Sequence, residues 1–496
     1  MTPNTSSRGR HRRVRDKSWR SLWRRSSGEH RGFIALLVLI GAGLRIHQAA
    51  QPITYAEAEA FVSLSSKPWG SIITDQHAIS GHIAHALLVK CSTGLFGVSL
   101  GALRLPALLA GILALPLFHL LVRSLFNRHI ALMALALAAA SGPLVELSAV
   151  ARGFSLTWVF LLLMLHDGRT YAVTERARPL QRMSLWCALG MWCTPAMIFP
   201  ALLAYAWVMF HIVRTYESTT RRRNLRVLLS LLLAGCLTAL LYIPVLAVHG
   251  LDPVISEPGS EPRTWAAFTA TQQEGAFHLW AWFAGATSMA IALVGWLGVF
   301  HAVKLSGRYR DLVLAMGLTA VLVTFFLLHL GPPEVWVYTI FIFHLSTAIS
   351  LFYVLKFMQD KLFGGFDERR RTLLACVLLV AVFAPLGLRG IHDRIPRFPE
   401  AAQAADWFLP RLKAQDRVLV ALPWDSPIEF HFRSAGIDPR ILHQVPTPES
   451  RIYVLVGTAK DQTAQLVLDR FAYQGLHAHH FVKVEDWRRL EIFAAQ

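Results

Sequence analysis

Residues 53–61 read ITYAEAEAF and follow the first long apolar run, GFIALLVLIGAGLRIHQ at 32–48. An apolar run close to the ~20 residues needed to cross a bilayer gives way at once to a polar segment carrying two carboxylates, Glu57 and Glu59. That succession sets the expected architecture: a membrane span, then a loop able to do chemistry. Downstream the pattern repeats, as apolar stretches separated by short basic clusters.

The 496-residue chain is 54% hydrophobic and 16% charged, with a mean hydropathy of +0.42. Soluble domains carry about 25% charged residues, so a polytopic α-helical membrane protein is expected. The net charge of +18 is placed in a tail and in loops between apolar runs. This is the distribution the positive-inside rule requires, and it argues against a nucleic-acid partner. The cysteines, Cys91, Cys187, Cys193, Cys236 and Cys376, lie in apolar stretches without metal-ligand spacing. They read as small buried residues rather than a disulfide framework.

Residues 1–31 form a basic cytoplasmic tail with Trp19, Leu22 and Trp23 interleaved. It reads as a disordered anchor or, alternatively, as an interfacial helix on anionic lipid. No small-residue cleavage site follows 32–48, so that run reads as a retained span leaving the cytoplasm. Residues 49–101 then form a first outer loop. Within it 82–96, HIAHALLVKCSTGLF, carries His82, His85 and Lys90 and is short for a span. It reads as a helix in the membrane interface, because counting it as a span would place RSLFNRH and RTYESTTRRR outside. About eleven spans are expected: 32–48, 103–122, 129–147, 155–165, 184–197, 198–211, 227–248, 279–300, 312–330, 335–355 and 373–388. AVARGF (149–154) and the acidic GLDPVISEPGSEP (250–262) fall outside the membrane, and a transmembrane domain of 32–389 results.

After about 390 the composition changes to that of a small α/β domain, 390–496, expected on the extracytoplasmic side. FPEAAQAADWFLPRLKAQD, PIEFHFRSAG and DQTAQLVLDRFAYQG have helical periods; RVLVAL, RIYVLVG and FVKVEDWRRLEIFAA read as strands. No glycine-rich phosphate loop or nucleophile elbow occurs there, so a packing or regulatory role is expected. His477, His479 and His480 read as a solvated turn, with no partner ligands for a metal evident.

Four segments, PITYAEAEAF, SGHIAHALLVKCSTGLFG, ALRLPALLAGILALP and SAVARGFSL, stand in the order and spacing of the GT-C glycosyltransferases. Over roughly 32–350 the chain resembles the branch of protein O-mannosyltransferases and the aminoarabinose lipid A transferase. The resemblance implies a multi-pass enzyme of the cell membrane, the bacterial inner membrane in this case. Such an enzyme moves a sugar from a polyprenyl phosphate to a glycan, lipid or protein acceptor on the outer face. Transfer through an oxocarbenium-like state favours a carboxylate base for the acceptor hydroxyl, and cationic or hydrogen-bonding partners for the departing phosphate.

Relatives carry an Asp-Glu pair at the start of the first outer loop; alignment places Ala56 and Glu57 there. Alanine accepts no proton, so the resemblance leaves the catalytic role to Glu57 and Glu59. It implies substrate-binding roles for Arg152, His82, His85 and Arg104. Ser80-Gly81 stand where relatives have asparagines, and Tyr338 or Thr339 where an Arg opens the late aromatic helix TIFIFHL. Arg45 and His47 read as interface anchors. No cofactor is implied; a divalent metal stays open, with Asp75 and His77 as possible ligands lacking a spacing signature. Two other readings stand beside the transferase: a GT-C-fold scaffold that has lost catalysis, and a transporter, although the Gly/Pro-broken inverted halves of one are not evident.

Overall fold

The computed structural model describes residues 19–24, 26–75, 82–215, 219–250, 264–284, 289–327, 332–362, 367–389, 396–444, 450–458, 462–471 and 480–495. The readings placed on 1–18, His77, Ser80-Gly81, most of the acidic loop, His477 and His479 lie outside the described residues.

Helix α1 (Trp19–Arg24) precedes α2 (Gly28–Ala49), which starts where the Ser27 hydroxyl accepts from the His30 amide. The following loop folds into α3 (Tyr55–Ala60), a π-helical turn (Phe61–Ser65), α4 (Trp69–Thr74) and α5 (Ile83–Phe96). Helix α6 (Leu100–Leu125) begins at the Ser99 cap. Helices α7 (Arg128–Ala140) and α8 (Gly142–Ser148) form one apolar run bent by 60°. Pro143 explains the break, since it offers no N–H to the preceding helix and suits the first turn of a new one. The helical body is completed by α9 (Phe154–Thr174), α10 (Ala177–Cys193), α11 (Ile198–Thr215), α12 (Thr220–His249), α13 (Trp265–Ala284) and α14 (Met289–Leu305). It ends with α15 (Gly307–Leu327), α16 (Thr339–Leu362) and α17 (Glu368–Arg389).

Helix α7 is buried all round from His129 to Ala140, as a helix apolar on every face must be, and α2, α6, α16 and α17 pack about it. Small residues allow the close approach: a Cβ on Gly142 would meet the Gly387 backbone at 2.9 Å. Arg45, expected as an interface anchor, is instead only 1% exposed. Its guanidinium donates to Gly41 O, Ala138 O, Ala139 O and the Ser148 hydroxyl. The bend after α7 strips carbonyls of their helical partners, and Arg45 supplies the missing donors. His47 is exposed, as an anchor would be.

Among the described residues seven helices are long and apolar enough to cross a membrane, or eight if the bent α7–α8 pair counts as one span. The runs expected at 155–165 and 184–197 lie in α9, whose last turns carry His166, Asp167 and Arg169, and in α10, 17 residues long. The run expected at 279–300 falls across α13 and α14. Cys91 and Cys236 correct the expectation of burial: both are exposed, on helices α5 and α12, while Cys187, Cys193 and Cys376 are buried. Apolar surroundings in a membrane protein mark the lipid-facing surface as well as the core.

The C-terminal region alternates α18 (Pro399–Phe408), β1 (Arg417–Val420), α19 (Asp425–Ala435), β2 (Ile452–Gly457), α20 (Ala464–Arg470), β3 (Phe481–Trp487) and β4 (Leu490–Ala495). The sheet order is β1-β2-β4-β3, with β1 and β2 parallel and the remaining pairs antiparallel. Strands β1 and β2 are buried throughout, consistent with parallel strands covered on both faces. One face shares its core with the loop after α2: Ile53, Ala58 and Phe61 cluster with Phe398, Phe430 and Ile492. Phe61 meets Phe430 edge to face at 5.4 Å, and Thr54 forms an antiparallel bridge with Arg397.

Candidate active site

Helix α3 begins with a capping box. The Thr54 hydroxyl accepts from Glu57 N, while Glu57 Oε2 accepts from Thr54 N at 3.1 Å and from the Thr54 hydroxyl at 3.0 Å. The same carboxylate receives Arg104 from α6, Nε to Oε1 and Nη2 to Oε2, both at 2.7 Å. Ala151 N donates to Oε1 at 2.8 Å. Burial pushes the Glu57 carboxyl up, but the Arg104 guanidinium and the N–H donors outweigh it and hold the group below the usual carboxylate range.

Arg104 is equally committed. Besides Glu57 it donates to Ala49 O, Gln51 O and Pro52 O at 2.9, 2.5 and 3.1 Å. All five guanidinium N–H groups therefore have acceptors, and the side chain is 1% exposed. This corrects the expectation that Arg104 binds substrate: no donor is left for one. Glu57 is likewise 0% exposed, with both oxygens occupied. A base must be reachable by the proton it takes, and Glu57 is not. The pair ties the ends of α2, α3 and α6 to the segment just before Arg152.

Arg152 is the opposite case. It is half-buried, lies over the Phe154 ring at 5.2 Å, and has no hydrogen bond or ion pair from its side chain among the described residues. Three carboxylates are within electrostatic reach of it, in decreasing influence Glu334, Glu59 and Glu57. Glu59 is exposed and lies one helical turn from Tyr55, which packs against the core shared with the small domain. Glu334 comes from the 3₁₀ turn Pro333–Trp336 ahead of α16. Nothing in its sequence context marks it, apart from its place directly after Pro332-Pro333.

His82 and His85 stand against Arg152 and are buried. His82 has a left-handed backbone (φ 60°) at the start of α5, and its ring meets Phe154 edge to face at 5.3 Å. A Cβ on Gly153 would lie 2.9 Å from His82 Nδ1, so glycine is required there. Burial and then Arg152 push both imidazoles down, His85 to about 4. Both are therefore neutral near pH 7, and His82 Nδ1 and His85 Nε2 are buried with no hydrogen-bond partner among the described residues. Tyr338, one of the two residues (with Thr339) where the resemblance expects an Arg, is buried and its hydroxyl also lacks a partner among them.

No group of three or more His, Cys, Asp or Glu side chains among the described residues could hold a metal ion. Asp75 instead takes the Lys67 ammonium at 2.6 Å, and His480 is exposed.

No family model and no curated protein matches the chain. Among solved structures it is similar to ArnT from Cupriavidus metallidurans in the apo state, at 14% identity and a TM-score of 0.60. That alignment covers 93% of this chain and 98% of the other. Similarity to ArnT bound to undecaprenyl phosphate has the same identity and coverage, with a TM-score of 0.56. At this identity the likeness establishes the fold.

Proposed function

We propose that this chain, which has the fold of the GT-C membrane glycosyltransferases, moves a sugar from a polyprenyl-phosphate donor to an acceptor at the outer face of a bacterial inner membrane. The observation that carries the reading is the uncommitted Arg152 guanidinium, set beside two neutral buried imidazoles with unpartnered nitrogens. A planar guanidinium with free donors suits a phosphate, and the imidazoles can hydrogen-bond it without adding charge. The undecaprenyl phosphate bound to ArnT supports that ligand class. In this arrangement residues 1–31 and the basic loops face the cytoplasm, the spans lie within 32–389, and 390–496 lies outside.

Glu59 is the base in this scheme, since Ala56 accepts no proton and Glu57 is locked to Arg104. The acceptor O–H attacks the anomeric carbon and its proton passes to Glu59. The bond from that carbon to the phosphate oxygen breaks, and polyprenyl phosphate leaves with the electron pair, held by Arg152, His82 and His85. The acceptor is a glycan, lipid or protein. A second reading, a GT-C-fold scaffold without catalysis, is favoured by the same two facts about Ala56 and Glu57.

The test is sugar release from undecaprenyl-phosphate sugars by purified protein in lipid, with a membrane extract as acceptor source. Release that falls ~10²–10⁴-fold in Glu59→Gln is expected, the usual contribution of a general base. No release with any donor, but release on Ala56→Asp, would leave the scaffold reading in its place.

A further inference from the structure

The small α/β domain carries no site of its own by sequence, yet a continuous set of contacts runs from its last hairpin to Arg152. Arg489 sits at the turn between β3 and β4, where Thr458 N donates to Arg489 O at 3.1 Å and holds the tip in place. Its guanidinium grips Glu400 through Nε at 3.1 Å and Nη2 at 2.9 Å, and Nη2 also donates to Arg397 O at 2.6 Å. Arg397 is the residue that bridges Thr54, and its side chain donates to Pro52 O at 3.3 Å. Phe398 N donates to Ile53 O at 3.0 Å. Thr54 caps α3 and binds Glu57, and Glu57 in turn accepts from Ala151 N, the amide next to Arg152.

Resting on the transferase reading, we infer that Arg489 is a positioning residue. Through Arg397, Thr54 and Glu57 it fixes the segment 52–58 and, with it, the placement of Arg152 and Glu59. Three features support the assignment. Pro52 O accepts from both Arg104 and Arg397, so the loop is held from the helical body and from the small domain at one atom. Glu400 is 6% exposed, so the Arg489 pair is better shielded than an ordinary surface ion pair. The planar, bidentate grip fixes direction as well as distance. The small domain thereby acts as the second jaw that holds the site loop.

The test uses the full chain in lipid nanodiscs, comparing wild type, Arg489→Ala, Arg489→Lys and, as a surface control, Arg440→Ala. Hydrogen exchange is followed at residues 53–58 and at Ala151, with undecaprenyl phosphate affinity and Tm measured on the same samples. Arg489→Ala is expected to speed exchange at those amides about tenfold and to weaken the lipid about tenfold, the scale of a sub-ångström misplacement. Exchange in β1 and β2 should hold, and Tm should fall by only a few degrees for the Glu400 carboxylate left without its cation. Arg489→Lys should recover part of these effects, and Arg440→Ala should match wild type. Unchanged exchange at 53–58 and Ala151 would overturn the assignment, as would acceleration spread evenly through the whole small domain. Wild type that fails to bind the lipid would count against the transferase reading alone, because the exchange comparison decides the role of Arg489 without it.

Discussion

Two arginines flank the same loop and differ in every respect that matters. Arg104 has spent all five donors, on Glu57 and on three carbonyls, and is sealed from solvent. Arg152, attached to the same junction through the neighbouring Ala151 amide, has spent no side-chain donor within the described structure. A buried charge must be paired and hydrogen-bonded to be tolerated, so a saturated arginine reports structure. A half-buried arginine with unused donors, flanked by orphaned imidazole nitrogens, is what the proposed function reads as a place for an anion. Sequence similarity to a family treats the two alike; hydrogen-bond accounting separates them.

The sharpest way to break the contrast is at the saturated end. Arg104→Ala leaves the Glu57 carboxylate buried without its cation, a change that typically costs about 3–5 kcal/mol. The expected outcome is a large fall in Tm in detergent or loss of folded protein. Arg104→Lys should rescue little, since an ammonium cannot serve five acceptors in a fork. Glu57→Gln should do comparable damage, again about 3–5 kcal/mol. Its one carbonyl oxygen can accept from Ala151 N or from Thr54 but not both, its NH2 faces the remaining donors, and Arg104 stays buried without its counter-charge. An Arg104→Ala protein as stable as wild type would erase the distinction.

The smallest effect expected is a pH dependence at the other end. His85 is buried neutral with its pKa pushed down to about 4, against about 6.5 in an unfolded chain. The folded state then binds fewer protons, so this group's contribution is complete above about pH 6.5 and is lost as the pH falls toward 4. Arg152 and Glu57 face it with opposite influence. His85→Gln should flatten the acid side of a Tm-against-pH curve while leaving the curve above pH 7 nearly unchanged. A parallel acid loss in the variant would mean that His85 is not protected from protonation.

Much of this was open to reading from the chain alone, and the reasons for the exceptions are physical. Thr54 and Glu57 stand three apart, the spacing of a capping box, so the local geometry of α3 is written in the sequence. Their long-range partners are not: Arg104 lies 47 residues on, and nothing in ALRLP says whether its arginine points at a ligand or at a carboxylate. The strands of the small domain fall where the apolar stretches predicted them, because β1 and β2 are buried runs and the β3–β4 hairpin has a short turn. Arg45 misled because an arginine near the end of an apolar helix commonly snorkels to the interface. Here the bend at Ser141 creates carbonyl acceptors that only the tertiary structure reveals. Glu334 had no signal in its neighbourhood and is found only because the chain folds it toward Arg152.

The most direct measurement is undecaprenyl phosphate binding to wild type and Arg152→Ala in nanodiscs, with Tm recorded on the same preparations. A Tm within about 1–2 °C of wild type is predicted, as for a side chain that holds nothing together. Affinity should fall about tenfold to a hundredfold, the loss of a charge-assisted contact. An Arg152→Ala protein that binds the lipid as wild type does, or that unfolds as Arg104→Ala should, would contradict the assignment of Arg152 to the phosphate.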